Sequence, residues 1–342
     1  MKKNLFSSIY QAEKKSKKKI RSGTFKWLNS AAEDGFTSHK NLIDLQNIKI
    51  IPRILSKNHN ITLKSNVFGT EIDWPIILSP MGHQTQFSQN GEISTAIGSH
   101  EEKILSFFST QGRIGFDQIR KKVPNLKMIW QIFPFGKKEW IESQIKIAEK
   151  NRSLALCFCF DASVRSHRYI ERETNYDARK YGKRLFPVSP DPSQALKYDW
   201  EFLRWAKKKT SLKIIPKGLI NLDDINKCVY LGIKNLWISN HGGRMFNSGI
   251  TAVDILKKIQ HLRGKNTIFV DGGVRKGSDI LKYLCLGANY VGIGRPAMYG
   301  LINSGSSGVS KIFKILKSEL KTAMYNGGFK SYKDMKIDRL IF

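Results

Sequence analysis

Thr267-Ile268-Phe269-Val270-Asp271-Gly272-Gly273-Val274-Arg275-Lys276-Gly277 passes from four β-prone residues, through paired glycines, into a helical pattern over Lys276–Leu286. One unit later Tyr290–Ile293 leads into Gly294-Arg295-Pro296. Reading outward, six further short apolar runs alternate with helical patterns: Ile76–Ser79, Ile104–Ser106, Met128–Phe133, Ala155–Phe160, Leu212–Pro216 and Asn235–Ser239. Most of the eight runs end at residues suited to a functional loop: Pro80-Met81-Gly82-His83, Gln131, Asp161, Lys217, Asn240-His241-Gly242-Gly243-Arg244, Asp271-Gly272-Gly273 and Gly294-Arg295. An open doubly wound sheet gathers its site at one switch point. Polar residues after most of eight strands instead predict a closed α/β fold, a (β/α)8 TIM barrel, because its βα loops converge on one face.

Trp140–Asn151 and Leu222–Leu231 read as helices, the second capped by Asn221 or Asp223. Ser310–Met324 reads as the final helix. Residues 1–70 are expected to form an N-terminal helical extension packed outside or across one end of the barrel, and residues 71–342 the barrel itself. Residues 165–198, long and polar after the fourth strand, are expected to be an active-site lid or substrate loop.

The charge of +30 admits attraction to an anionic partner. The lysines are spread along the chain, with one dense run at Lys14–Arg21, and no nucleic-acid-binding motif accompanies them. We therefore read them as a solvated surface and expect no nucleic-acid partner. No apolar run approaches the ~20 residues needed to span a bilayer, and no apolar stretch follows the basic start as in a signal peptide. Cys157, Cys159, Cys228 and Cys285 match no zinc spacing, so no metal is expected. Cys157 and Cys159 are alternate positions of one buried strand. A reduced, cytoplasmic setting is the expectation.

Gly272 and Gly273 permit close backbone approach, and the amides that follow open a helix. Two glycine–arginine loops on consecutive strand ends point to a ligand bearing phosphate, the usual cargo after barrel strands seven and eight. His241 can accept a proton, and Arg244 can fix a carboxylate by paired hydrogen bonds.

In these residues the chain resembles the FMN-dependent α-hydroxy-acid oxidase and dehydrogenase family, which includes glycolate and lactate oxidases. The resemblance runs from about Phe25 to Tyr299 and includes Ser239–Arg244, Asp271–Gly277, Gly294-Arg295-Pro296, Lys217-Gly218, Gln131, Ala32-Glu33-Asp34 and Pro52–Leu55. It implies an FMN-dependent enzyme that oxidises a 2-hydroxy acid, or a related hydroxylated carboxylate carried by a small molecule or peptide, to the 2-oxo product. His241 would be the base and Asp161 would hold its imidazole. Arg244 and Arg168 would bind the substrate carboxylate. Lys217 would sit near flavin N1/O2. Gln131 and Ser106 would hydrogen-bond the flavin ring. Pro80, Met81, Gly82, Cys159, Ser239, Asp271 and Gly272 would line the cofactor, and Gly273, Arg275, Gly294 and Arg295 would hold its phosphate. The electron acceptor, O2 or a carrier, stays open, as does the choice among oxidase, dehydrogenase and monooxygenase. A homo-oligomer, often a tetramer in this family, is implied.

Three positions depart from the family pattern. Trp27 and Phe133 stand where tyrosines are usual at the substrate, and Cys159 replaces a threonine beside the flavin. A phenyl ring offers no hydrogen bond, and losing one to a developing charge costs about 1.5–3 kcal/mol. A substrate unlike glycolate or lactate is therefore expected. The alternatives are a tailoring enzyme acting on a peptide or biosynthetic intermediate and a flavin-binding protein that has lost turnover. Gly82 reads equally as a backbone turn and as space beside the flavin edge, and His83 as an additional substrate contact.

Overall fold

In a computed structural model the described residues are 5–55, 61–133, 137–162, 164, 166–176 and 199–342. Two short antiparallel elements precede the main sheet. β1 (Lys49–Ile50) is one, and β2 (Ser65–Val67) with β3 (Thr70–Ile72) form a hairpin. The main sheet runs through β4 (Ile76–Leu78), β5 (Leu105–Ser109), β6 (Met128–Ile132), β7 (Leu156–Cys159), β8 (Ile214–Leu219), β9 (Asn235–Ile238), β10 (Thr267–Val270) and β11 (Tyr290–Ile293). All neighbours are parallel, and β11 pairs with β4 to close the barrel. This is the (β/α)8 barrel expected from the alternation of short apolar runs and helical patterns. β5 extends three residues further than the sequence suggested. β8 is shifted toward Leu219, so Lys217 lies within the strand and not beyond its end.

Inward positions carry the period of two. Ile77, Phe107, Ile129, Cys157, Ile215, Trp237, Phe269 and Tyr290 form one interior apolar layer. Two residues further along each strand the inward positions become Ser79, Ser109, Gln131, Cys159, Lys217, Ser239, Asp271 and Gly292. The apolar layer closes the barrel, and the polar ring above it forms the floor of the mouth. The β2–β3 hairpin plugs the opposite end. Its two-residue turn, Phe68-Gly69, has φ of 53° and 74°, as a primed hairpin turn requires. Val67 and Ile72 are buried against the interior layer, and Ser65 Oγ meets Tyr290 Oη at 2.8 Å.

The N-terminal helices α1 (Ile9–Lys19), α2 (Ser22–Asn29) and α3 (Phe36–Asn47) precede the barrel. The helices after it begins are α4 (Gly91–Glu101), α5 (Phe116–Lys122), α6 (Lys138–Lys150), α7 (Tyr169–Glu173), α8 (Trp200–Lys209), α9 (Leu222–Tyr230), α10 (Ala252–Lys258), α11 (Gly277–Cys285) and α12 (Arg295–Gly327). Asn221 caps α9 through its side chain. β12 (Leu340–Ile341) pairs with β1, joining the C-terminal segment to the chain just after α3. α1 docks on α12, where Asn303 Nδ2 donates to Ala12 O and Ser16 Oγ, both at 2.8 Å. Among the described residues, no helix is long and apolar enough to cross a membrane. The expected loop 165–198 lies largely outside the described residues.

The final helix starts at Arg295, well before the expected Ser310, and breaks at Ser304 and Gly305. The sequence disguises this helix because Gly300, Gly305 and Gly308 interrupt its pattern. The glycines let its two halves approach, and a Cβ on Gly308 would overlap the Gly300 carbonyl. Gly308→Val is expected to cost about 1–3 kcal/mol by overpacking, read as a melting temperature lowered by several degrees. An unchanged melting temperature would show that the halves separate freely.

Candidate active site at the barrel mouth

The loop after β9 turns sharply. His241, Gly242 and Gly243 have φ of 56°, 65° and 74°, a left-handed run that glycine accepts and that costs an ordinary residue strain. A Cβ on Gly243 would overlap the Ser38 backbone of α3, so the glycine permits the N-terminal extension to close over this loop. The turn aims His241 at β7. Its Nδ1 lies 2.9 Å from Asp161 Oδ1. Burial raises the Asp161 pKa, but His241 and Lys217 outweigh it and hold this carboxyl at about 2. An ionised carboxylate only accepts, so Nδ1 carries the proton of this contact and Nε2 is the nitrogen turned away from Asp161.

Asp161 owes its position to a bulge. Register slips between Lys217 and Leu219, where Gly218 has φ of 105° and a Cβ would stand 2.6 Å from the Asp161 side chain. Bulges of this kind re-aim side chains beside sites. Lys217 Nζ donates to Ser239 Oγ at 2.7 Å and lies 3.3 Å from Asp271 Oδ2. Ser239 in turn donates to Asp271 Oδ1 at 2.6 Å. Burial disfavours the Lys217 ammonium, yet Asp271 and Asp161 together raise its pKa above the ordinary value.

Arg244 is half-buried beneath Trp27, its guanidinium 5.2 Å from the indole centre. Its Nη1 donates to the carbonyls of Trp27, Leu28 and Ser30 at 2.8–3.2 Å. Burial, then the charges of Arg168 and Arg295, push its pKa well down. Nε and Nη2 have no protein partner among the described residues, which leaves one edge for a two-point carboxylate contact. Arg168 is committed to Glu171 at 3.0 Å. Trp27 packs among His83, Phe87 and Tyr176, with ring centres 5.7–6.3 Å apart. Phe133 meets His241 edge-on at 6.2 Å. These aromatic rings form an apolar wall beside Arg244.

The end built from β10 and β11 is cationic. Arg295 donates to Ser38 Oγ and Gly242 O at 2.7–3.1 Å. Burial and then Arg275 lower its pKa to about 10. Neither Arg275 nor Arg295 has a carboxylate in ion-pair range among the described residues. Asp279 caps the amides of Arg275 and Lys276 at 2.9 and 3.1 Å. Two repelling guanidinium groups beside a helix start suit a phosphate. The floor has matching vacant valences, since Ser79 Oγ and Gln131 Oε1 are buried without a hydrogen-bond partner. Gly292 adds no side chain there, and its Cβ would overlap Ser79 Oγ. A flat, polar-edged ring with a phosphate tail, as in FMN, fits this donor set.

The structure corrects one expected contact. Ser106 shares the outward face of β5 with Ile104 and Phe108, and its hydroxyl donates to Ile104 O at 3.1 Å. Ser109, three residues on, takes the inward position. The period of two could have found it, had the strand been read past Ser106. Gly82 has a packing reason, because a Cβ there would come within 2.8 Å of Gln111 Cβ. Pro80, Met81 and Gly294 meet at the rim, where a Gly294 Cβ would lie 3.3 Å from Met81 Sδ. Ser38 gave no sequence signal, nor did Asn41, whose amide pairs with that of the strand-end Asn240 at 2.9 and 3.1 Å.

The profile of the FMN-dependent dehydrogenase family matches residues 16–341. The chain is 27% identical to L-lactate oxidase of Nostoc sp. over 350 residues, covering 96% of each chain. It is 30% identical to an FMN-dependent alpha-hydroxy acid dehydrogenase of Schizosaccharomyces pombe, covering 89% of this chain and 83% of that one. Human 2-hydroxyacid oxidase 1 is 26% identical, with 95% and 94% covered. A crystal structure of mandelate oxidase superposes with a TM-score of 0.92 at 22% identity over 98% of both chains.

Asp161 has its pKa lowered from an ordinary value near 3.8 to about 2, so its stabilising effect is present above the ordinary value and lost as pH falls through about 2. Asp161→Asn is expected to be less stable than the parent by roughly 2 kcal/mol at neutral pH. The gap should shrink between pH 4 and 2 in urea unfolding. A gap independent of pH would show that the charge is not its source.

Proposed function

The chain belongs to the FMN-dependent dehydrogenase family, and from that premise we propose that it oxidises a 2-hydroxy acid with an apolar, preferably aromatic, side chain to the 2-oxo acid. FMN, when bound, supplies the two-electron acceptor. The observation that carries the reading is the Asp161–His241 pair standing beside the open edge of Arg244 at the barrel mouth.

Arg244 binds the substrate carboxylate through Nε and Nη2 while the backbone carbonyls of α2 hold Nη1 in place. Orientation by such a two-point contact brings the hydroxylated carbon to His241. His241 Nε2 accepts the proton that the hydroxy acid loses, and Asp161 stabilises the imidazolium. Lys217, paired with Asp271, stays an ammonium on the floor. Arg275, Arg295 and the Gly272-Gly273 turn would hold the FMN phosphate. Gln131 and Ser79, with Ser109 in place of Ser106, would offer hydrogen bonds to the ring. Cys159, Pro80, Met81, Gly82, Ser239 and Gly294 would complete its surroundings. Arg168, whose Nη1 is paired with Glu171, adds its charge to that of Arg244 on the carboxylate side.

Trp27, Phe87, Tyr176 and Phe133 support the choice of side chain. The wall rewards burial of an aryl or branched group at about 25 cal/mol per Å². A phenyl in place of a hydroxyl at Phe133 removes a polar contact that a small, hydrophilic acid would need.

The purified protein is expected to be yellow and to bleach without oxygen on adding an aryl 2-hydroxy acid, faster than with glycolate or lactate. Bleaching by glycolate alone would refute the proposed specificity, and a colourless protein that cannot take up FMN would refute the site. His241→Asn should keep its FMN spectrum while kcat falls by roughly 10²–10⁴. Arg295→Ala should instead lose FMN on dilution.

A further inference from the structure

Three donor atoms of different chemistry converge behind the His241 ring. Cys159 Sγ lies 3.0 Å from Asp161 Oδ1 and 3.8 Å from His241 Nδ1, and Nδ1 lies 2.9 Å from the same oxygen. All three fall within 4.8 Å of one another. Asp161 Oδ2 is buried with no hydrogen-bond partner, so a second carboxylate oxygen is also available. A tetrahedral zinc ion with one sulfur, one nitrogen and one oxygen ligand spans edges of roughly 3.4–3.6 Å. The three separations, 3.0, 2.9 and 3.8 Å, lie within about 0.6 Å of that span, a difference that small side-chain shifts can take up. A threonine, the residue that the family resemblance places at 159, would not supply a thiolate.

We propose that Cys159, Asp161 and His241 form an inhibitory site for a borderline or soft divalent cation such as Zn²⁺ or Cd²⁺. Binding releases the Cys159 thiol proton, giving a thiolate ligand. It also requires the lone pair of His241 Nδ1, so the imidazole proton moves from Nδ1 to Nε2. An Nε2 that carries a proton cannot accept one from substrate. The metal thus disables the base from behind, without entering the substrate space in front of the ring. The fourth coordination position stays with water or Asp161 Oδ2. Lys217, close enough to lower the Asp161 pKa, opposes the cation and limits its affinity. The site itself stands on the three donors, while its inhibitory effect rests on His241 being the base.

The test is a Cd²⁺ titration of the FMN-loaded protein, following the ultraviolet thiolate-to-cadmium absorption together with turnover. One Cd²⁺ per chain is expected, with turnover falling at the same midpoint and recovering on chelation. Cys159→Ser should abolish the band, and His241→Asn should weaken binding about tenfold or more. A missing band in the parent protein would overturn the site, as would a band that survives in Cys159→Ser. If that variant does not fold, an unmoved midpoint in His241→Asn overturns the site instead. A Cys159-dependent band with undiminished turnover would leave the metal site standing and refute His241 as the base.

Discussion

Lys217 carries an ammonium into the interior of a barrel whose next inward layer is wholly apolar. An uncompensated charge there would cost several kcal/mol, and removing either partner of such a pair typically costs 3–5 kcal/mol. Asp271 and Asp161 make it tolerable, and Ser239 joins the lysine to Asp271 by two hydrogen bonds. The arrangement couples β7, β8, β9 and β10. It also sets the electrostatics of the mouth, because the same Asp161 that faces Lys217 holds the His241 imidazole. The His241 tautomer therefore depends on where Lys217 sits, and Lys217 depends on the bulge at Gly218.

The N-terminal extension completes the site from outside the barrel. Three carbonyl contacts from the end of α2, at Trp27, Leu28 and Ser30, hold Arg244, and Trp27 covers it. Ser38 reaches Arg295, and Asn41 faces both Asn240 and the Gly272-Gly273 turn. The barrel supplies charged groups at strand ends, while the extension limits their rotamers and excludes water. This division explains why glycine is needed at 243 and 273, where a Cβ would overlap the α3 backbone. Preorganisation of this kind favours binding by lowering the entropy lost on ordering the site.

The departures at Trp27, Phe133 and Cys159 fall on two sides of His241. Trp27 makes the side beside Arg244 apolar, and Phe133 meets the His241 ring. Cys159 lies behind the ring, sharing Asp161 with the imidazole. On the proposed reading, substrate choice and metal sensitivity would arise from different substitutions around one imidazole.

Local sequence determined the eight strands and, through glycines and strand-end polar residues, most of the site, because the period of two and the βα alternation are properties of neighbouring residues. His241, Arg244, Lys217, Asp271 and Arg295 were legible for that reason. Ser109 and Ser79 were missed where a strand was ended early or its last inward residue was passed over. The early start of α12 was hidden by glycines that only close helix packing explains. Tertiary structure alone decided that Arg244 would spend Nη1 on α2 carbonyls, that Arg168 would pair with Glu171, and that Ser38 and Asn41 would reach the phosphate end. Those contacts join residues 199 to 257 positions apart, or depend on which way a loop turns, and no local periodicity encodes either.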